Sequence, residues 1–274
     1  MDIDKLSYEK LPPKRGKRVP STAKVVQPAR VPQEAVQIDP ASVPSAYQKR
    51  EGQLDQRLIF VLSGGSKREK YLLHFLPRHS NVKVLFLTQE GQGLLPDKMQ
   101  DKWLEIQRDN KVAVEGVKYQ LADIDYVYLV SDVDEFYDDL KRFIRNPGKG
   151  RGQWIVSNPC VEMWLYYCYW NAPQNDLSFL EAEDASTRSQ HLKQWLHQTA
   201  KGAIDPRKAY ERIPEGIQHS KEHYEEDENG IPALYATQMY QLMECIIKGI
   251  GDFDALVAQK KAEIGALGRR DEGN

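Results

Sequence analysis

Two acidic residues one position apart, Asp132 and Asp134, follow the short apolar run Tyr126-Val-Tyr-Leu-Val-Ser131. On an extended chain, residues i and i+2 face the same side with Cα atoms roughly 6–7 Å apart, so two carboxylates can reach toward one point. Like charges gathered there repel each other unless a cation neutralises them. All-oxygen ligation suits Mg²⁺ or Mn²⁺, which keep waters and accept a substrate phosphate. Glu135 extends the acidic run. The same residues also suit a turn entering a helix, where acidic side chains cap and complement the dipole. Spacing alone leaves both readings open.

A second segment, Ser157-Asn-Pro-Cys-Val-Glu-Met-Trp164, predicts a helix capped by Asn158, with Pro159 as its first residue and Glu162 in its first turn. A third, Ser63-Gly-Gly-Ser-Lys67, puts small residues ahead of a helix, where backbone N–H groups can meet an anion. It lacks the P-loop spacing, and an ordinary strand-to-helix turn explains it as well. The candidate metal ligands are thus Asp132 and Asp134, with Glu162 and Glu135 as base or third ligand. The candidate substrate contacts are Ser63, Gly64, Lys67 and Asn158. His219 and His223 stand four apart, but their Lys/Glu-rich surroundings predict a solvated face rather than a metal site.

Elements positioning these residues alternate. Apolar runs at 57–63, 81–88, 126–131 and 153–157 read as strands. Helical patterns fall at 66–75, 97–109 and 136–145 between them. That order predicts right-handed βαβ units and a mostly parallel sheet covered on both faces. Ligands sit outside the carboxyl ends of such strands, so the segments after Ser63, Ser131 and Ser157 are expected to converge. After residue 158 the patterns are helical: 159–170, with Val161, Trp164, Leu165 and Cys168 on its buried face, then 189–199, 215–226, 232–248 and 253–266.

The chain of 274 residues is long enough for a real core without staples. Thirty-eight Lys+Arg against 40 Asp+Glu exclude a globally basic nucleic-acid binder. The longest apolar run, Trp164–Trp170, is far short of the ~20 residues needed to cross a bilayer. With no apolar leader after Met1 and three scattered cysteines, the expectation is a cytoplasmic protein. Residues 1–50 carry ten Lys/Arg, five Asp/Glu and seven of the fifteen prolines. This composition suits a disordered basic leader or an extended arm lying on a partner. No strand or helix needed by the sheet is expected in it.

The segments Asp125-Tyr-Val-Tyr-Leu-Val-Ser-Asp-Val-Asp-Glu135 and Ile155-Val-Ser-Asn-Pro-Cys-Val-Glu-Met-Trp164 resemble the RloB family, bacterial proteins found beside restriction loci and similar to abortive-infection AbiL components. Ile231-Pro-Ala-Leu-Tyr-Ala-Thr-Gln-Met-Tyr-Gln-Leu242 resembles, more loosely, that family's closing Pro-x-Thr helix. The resemblance implies an α/β fold with a Toprim-like, mostly parallel sheet flanked by helices. The expected layout is an arm at 1–55, a core at 56–178 and a helical C-terminal region at 179–274. The implied activity is a Mg²⁺-dependent nuclease acting in anti-phage defence, with Asp132 and Asp134 matching the metal pair and Asn158 and Glu162 the Asn-Pro-x-x-Glu element. Where the family shows Glu-Gly after its first strand, this chain has Ser63-Gly64. That departure leaves a second function open, a catalytically reduced subunit that binds nucleic acid, nucleotide or a defence partner. A partner such as an ATPase, engaged through residues 1–50, and a homo-oligomer are compatible with either.

Overall fold

Four of the strands are mostly apolar along their length, and a strand of that kind is stable only when both its faces are covered. A computed structural model of the protein describes residues 46–47, 56–64, 82–87, 94–145, 152–200 and 209–271. The chain divides into two units, Met1–Val43 and Pro44–Asn274, and all described residues belong to the second.

In chain order the strands are β1 (Ala46–Tyr47), β2 (Arg57–Ser63), β3 (Val82–Leu87), β4 (Lys111–Val114), β5 (Val117–Gln120), β6 (Tyr126–Asp132) and β7 (Gly152–Ser157). The α-helices are α1 (Pro96–Asp109), α2 (Tyr137–Ile144), α3 (Glu162–Tyr167), α4 (Pro173–Asp176), α5 (Ala185–Thr199), α6 (Ile213–Glu222) and α7 (Met239–Asp271). The main sheet has the order β3-β2-β6-β7, and every pairing is parallel. This is the expected α/β architecture, a parallel sheet flanked by helices. Side chains alternate across it. Leu58, Phe60, Leu62, Val127 and Leu129 face Met99, Trp103 and Ile106 of α1 and Leu140 of α2. Ile59, Val61, Tyr128, Val130 and Ile155 face Trp164 of α3, Ile213 of α6 and Met239, Leu242 and Ile246 of α7. The predicted helix over 66–75, with Lys67, lies outside the described residues.

Four expectations are corrected. First, β1, β5 and β4 form a separate small sheet, in which Ala46 and Tyr47 pair in parallel with Lys118 and Tyr119. Residues 1–50 therefore do hold a strand. The β4–β5 hairpin turns at Glu115-Gly116, both at positive φ (50° and 80°), the conformation whose twist suits a two-residue hairpin. Second, Asn158-Pro159 is a cis peptide, and α3 begins at Glu162 instead of Pro159. Asn158 does not cap it: its Nδ2 donates to the Pro232 carbonyl at 2.8 Å.

Third, residues 232–238 are not helical: Pro232 and Thr237 make isolated bridges on either side of a turn at Leu234–Tyr235, where Tyr235 has φ 76°, so the segment resembling a Pro-x-Thr helix becomes helical only from Met239. This strap covers the open edge of β7, a position where unpaired backbone groups need partners. Gln238 N donates to the Val156 carbonyl (2.8 Å), its side-chain Oε1 accepts from Val156 N (3.0 Å), and the Ser157 and Thr237 hydroxyls meet at 2.7 Å. Fourth, the two helices expected at 232–248 and 253–266 are one, α7.

Candidate functional site

Parallel register brings the strand ends together: Ser63 pairs with Val130, and Asp132 with Ser157. The ladder runs one bond further, from Val133 N to the Ser157 carbonyl (2.9 Å), which fixes the turn after β6 against the exit of β7. The expected convergence of the three segments is present.

Asp132 is the last residue of β6 and is half-buried. Its Oδ1 accepts from the N–H of Val161 at 2.8 Å, immediately before α3. The carboxylate thus satisfies a helix-entry donor, but that of the helix after β7, not the one following it in sequence. Asp134 is not on a strand. It turns the chain at φ 29°, where a non-glycine residue is rare and Asp or Asn is best tolerated. Its carboxyl is half-buried, and Oδ1 is enclosed with no hydrogen-bond partner. Burial pushes its pKa up. The neighbouring Ser189 hydroxyl and the Lys193 charge oppose that rise, while Glu135 and Glu162 add to it.

Glu162 opens α3 and is 2% exposed. Lys193 Nζ of α5 lies 3.7 Å from its Oε2. Glu135 is exposed at the rim and acts on Asp134 through its charge. Cys160, fully buried beside them, has its thiol pushed well up by burial and by the charges of Glu162 and Asp132, so it stays protonated and unreactive.

The structure therefore brings together Asp132, Asp134 and Glu162, with Glu135 at the edge. Ser63 is fully buried at the end of β2, where its carbonyl accepts from Leu94 N at 3.1 Å. Gly64 is exposed and donates its N–H to the Val130 carbonyl at 3.1 Å. The Asn158 amide is committed to Pro232. The histidines at 219 and 223 meet backbone carbonyls, Tyr167 O (2.8 Å) and Asn171 O (3.2 Å), instead of facing solvent alone. Cys168 is a core residue, as its helical face predicts. Ser189 and Lys193 were not legible as site residues. In sequence they are two polar positions on a helix, and only the docking of α5 through Leu192 and Leu196 turns them inward.

Among the described residues no group of three or more His, Cys, Asp or Glu side chains is arranged to hold a metal ion. The donors that are present suit a cation held by two carboxylates, with waters and a substrate phosphate completing its shell, the usual protein share for Mg²⁺. The buried Asp134 Oδ1 without a partner is what such an ion would satisfy.

The fold and this corner define an α/β protein with an acidic cluster at the carboxyl edge of a parallel sheet. The profile of the RloB-like protein family matches residues 59–246, and the chain belongs to that family. No curated protein and no solved structure matches it. No helix among the described residues is long and apolar enough to cross a membrane.

Proposed function

We propose that the chain is a Toprim-type nuclease that uses Mg²⁺ or Mn²⁺ to hydrolyse phosphodiester bonds of DNA or RNA, as an effector of bacterial anti-phage defence. The observation that carries the reading is the enclosed Asp134 Oδ1 with no hydrogen-bond partner, beside Asp132 at the end of a buried parallel strand. A buried acceptor left unmade is costly, and such groups are retained where a ligand completes them. Asp132 and Asp134 would hold the cation, which when bound polarises the phosphodiester and lowers the pKa of a water.

The remaining work falls to the chain's own groups. The Val161 N–H holds Asp132 in place. Glu162, buried and beside Lys193, serves as a fixed charge. Glu135, exposed at the rim, is the proposed base. Family membership and the resemblance to proteins of restriction loci support the defence role. Residues 1–50, with their excess of basic side chains, are the segment proposed to engage a partner such as an ATPase, or the nucleic acid itself.

One observation favours the second reading, a catalytically reduced subunit. Ser63 takes the place of an acidic residue and is fully buried, so it supplies neither charge nor an exposed hydroxyl. The deciding experiment combines labelled DNA and RNA cleavage, with EDTA controls, and phage protection for wild type and Asp134→Asn. Mg²⁺-dependent cleavage lost in the variant is the expected result. Cleavage indifferent to EDTA, or full protection by the variant, overturns the nuclease.

A further inference from the structure

Asp132, Asp134 and Glu162 lie around the end of β6 and the start of α3, and α5 brings a positive charge to them. Ser189 and Lys193 are four apart on α5 and therefore share a face. Ser189 Oγ donates to the Pro159 carbonyl at 3.5 Å, and Lys193 Nζ lies 3.7 Å from Glu162 Oε2. The Glu162 side chain is 3% exposed and that of Lys193 is 34% exposed, so the ion pair runs from the interior to the mouth of the site. The charge of Lys193 also acts on Asp134 and Cys160, so it is felt across the whole cluster.

Nucleases that use two divalent ions hold them about 4 Å apart, and the second ion needs carboxylate charge of its own. Here the carboxylate next to the Asp132–Asp134 pair is already neutralised from inside the protein. A second divalent ion at Glu162 would meet the ammonium at close range beside a carboxylate that is 3% exposed. We propose that Lys193 stands in for a second divalent cation, so that the site takes one Mg²⁺ or Mn²⁺ ion at Asp132 and Asp134 while the protein's own ammonium neutralises Glu162. The inference rests on the proposed nuclease and concerns its metal count.

Mn²⁺ uptake by the full-length protein, counted by electron paramagnetic resonance of the free ion, tests it without an activity assay. Wild type is expected to bind one ion, K193R one, D134N none, and K193M or K193Q a second ion. Two ions in wild type would overturn the inference and leave the nuclease standing, and this outcome does not depend on how the variants fold. One ion in both K193M and K193Q would also overturn it. Uptake by K193M and K193Q but not by wild type would sink the nuclease while keeping Lys193 as the charge that excludes a cation. No uptake by any form would remove both proposals.

Discussion

Each carboxylate of the cluster has a different physical situation, and the situations predict different mutants. Asp134 sits in a half-buried turn, where burial and then two neighbouring acids push its pKa up. Its backbone needs positive φ, which asparagine tolerates about as well as aspartate. Asp134→Asn should therefore leave the metal-free protein as stable as wild type or more stable by up to about 1 kcal/mol, and should abolish stabilisation by millimolar Mg²⁺ or Mn²⁺. Thermal melts with and without metal read both effects, and a metal shift that survives in the variant would exclude Asp134 as a ligand. Ser63 gives the converse test. Introducing a carboxylate at this fully buried position, Ser63→Glu, should cost about 3 kcal/mol or more in metal-free buffer. If position 63 borders the metal site, Mg²⁺ should recover part of that loss. A melting temperature lowered equally with and without Mg²⁺ would separate Ser63 from the site.

Among the elements, β7 and its neighbours set the position of the cluster. Gly152 begins β7 against Trp103 of α1, and an added Cβ would fall 2.2 Å from the indole Cε2. Trp103 is packed in the core and cannot swing away cheaply. Gly152→Ala should destabilise by about 1–3 kcal/mol through overpacking, measurable by urea unfolding. A near-neutral result would mean that α1 and β7 separate easily.

The far end of the site depends on the loop at Asp227, which presents the Pro232 carbonyl to Asn158. Burial raises the Asp227 pKa, but the Tyr137 hydroxyl and the Ile231 and Asn229 N–H groups outweigh it and hold the carboxyl below its usual range. A depressed carboxyl contributes stability above its unfolded pKa of about 3.9 and loses it as pH falls through the folded value. Asp227→Asn should thus be less stable than wild type at pH 7, and the difference should shrink as pH falls from about 5 to about 2. A gap that does not change with pH would assign the loop's stability to shape and not to charge.

For the whole molecule, the boundary between units matters more than the change in composition. The second unit begins at Pro44 and contains β1, whose Ala46 and Tyr47 complete the edge of the small sheet. Deleting residues 1–43 should leave the melting temperature unchanged. Deleting 1–50 should lower it, because β5 loses its parallel partner. Equal melting for the two truncations would show that β1 contributes nothing. If the first residues serve a partner, both truncations should lose complex formation, including the one whose stability is intact.

The sequence by itself determined the strands of the main sheet, their parallel order of use and the convergence of Ser63, Asp132 and Ser157, because contiguous apolar runs and intervening helical patterns are local signals. The β4–β5 hairpin has a local signal as well, the alternation on either side of Glu115-Gly116. Only the tertiary structure decided what the acidic residues touch. Asp132 meets a donor at Val161 and Glu162 a cation at Lys193, each about thirty residues further along the chain, and the Asn158 amide turns to Pro232 instead of capping a helix. No local pattern encodes such pairs. They exist because α3 is buried on all sides and forces α5 and the strap before α7 to close around it, so the packing of the apolar faces sets which polar groups meet.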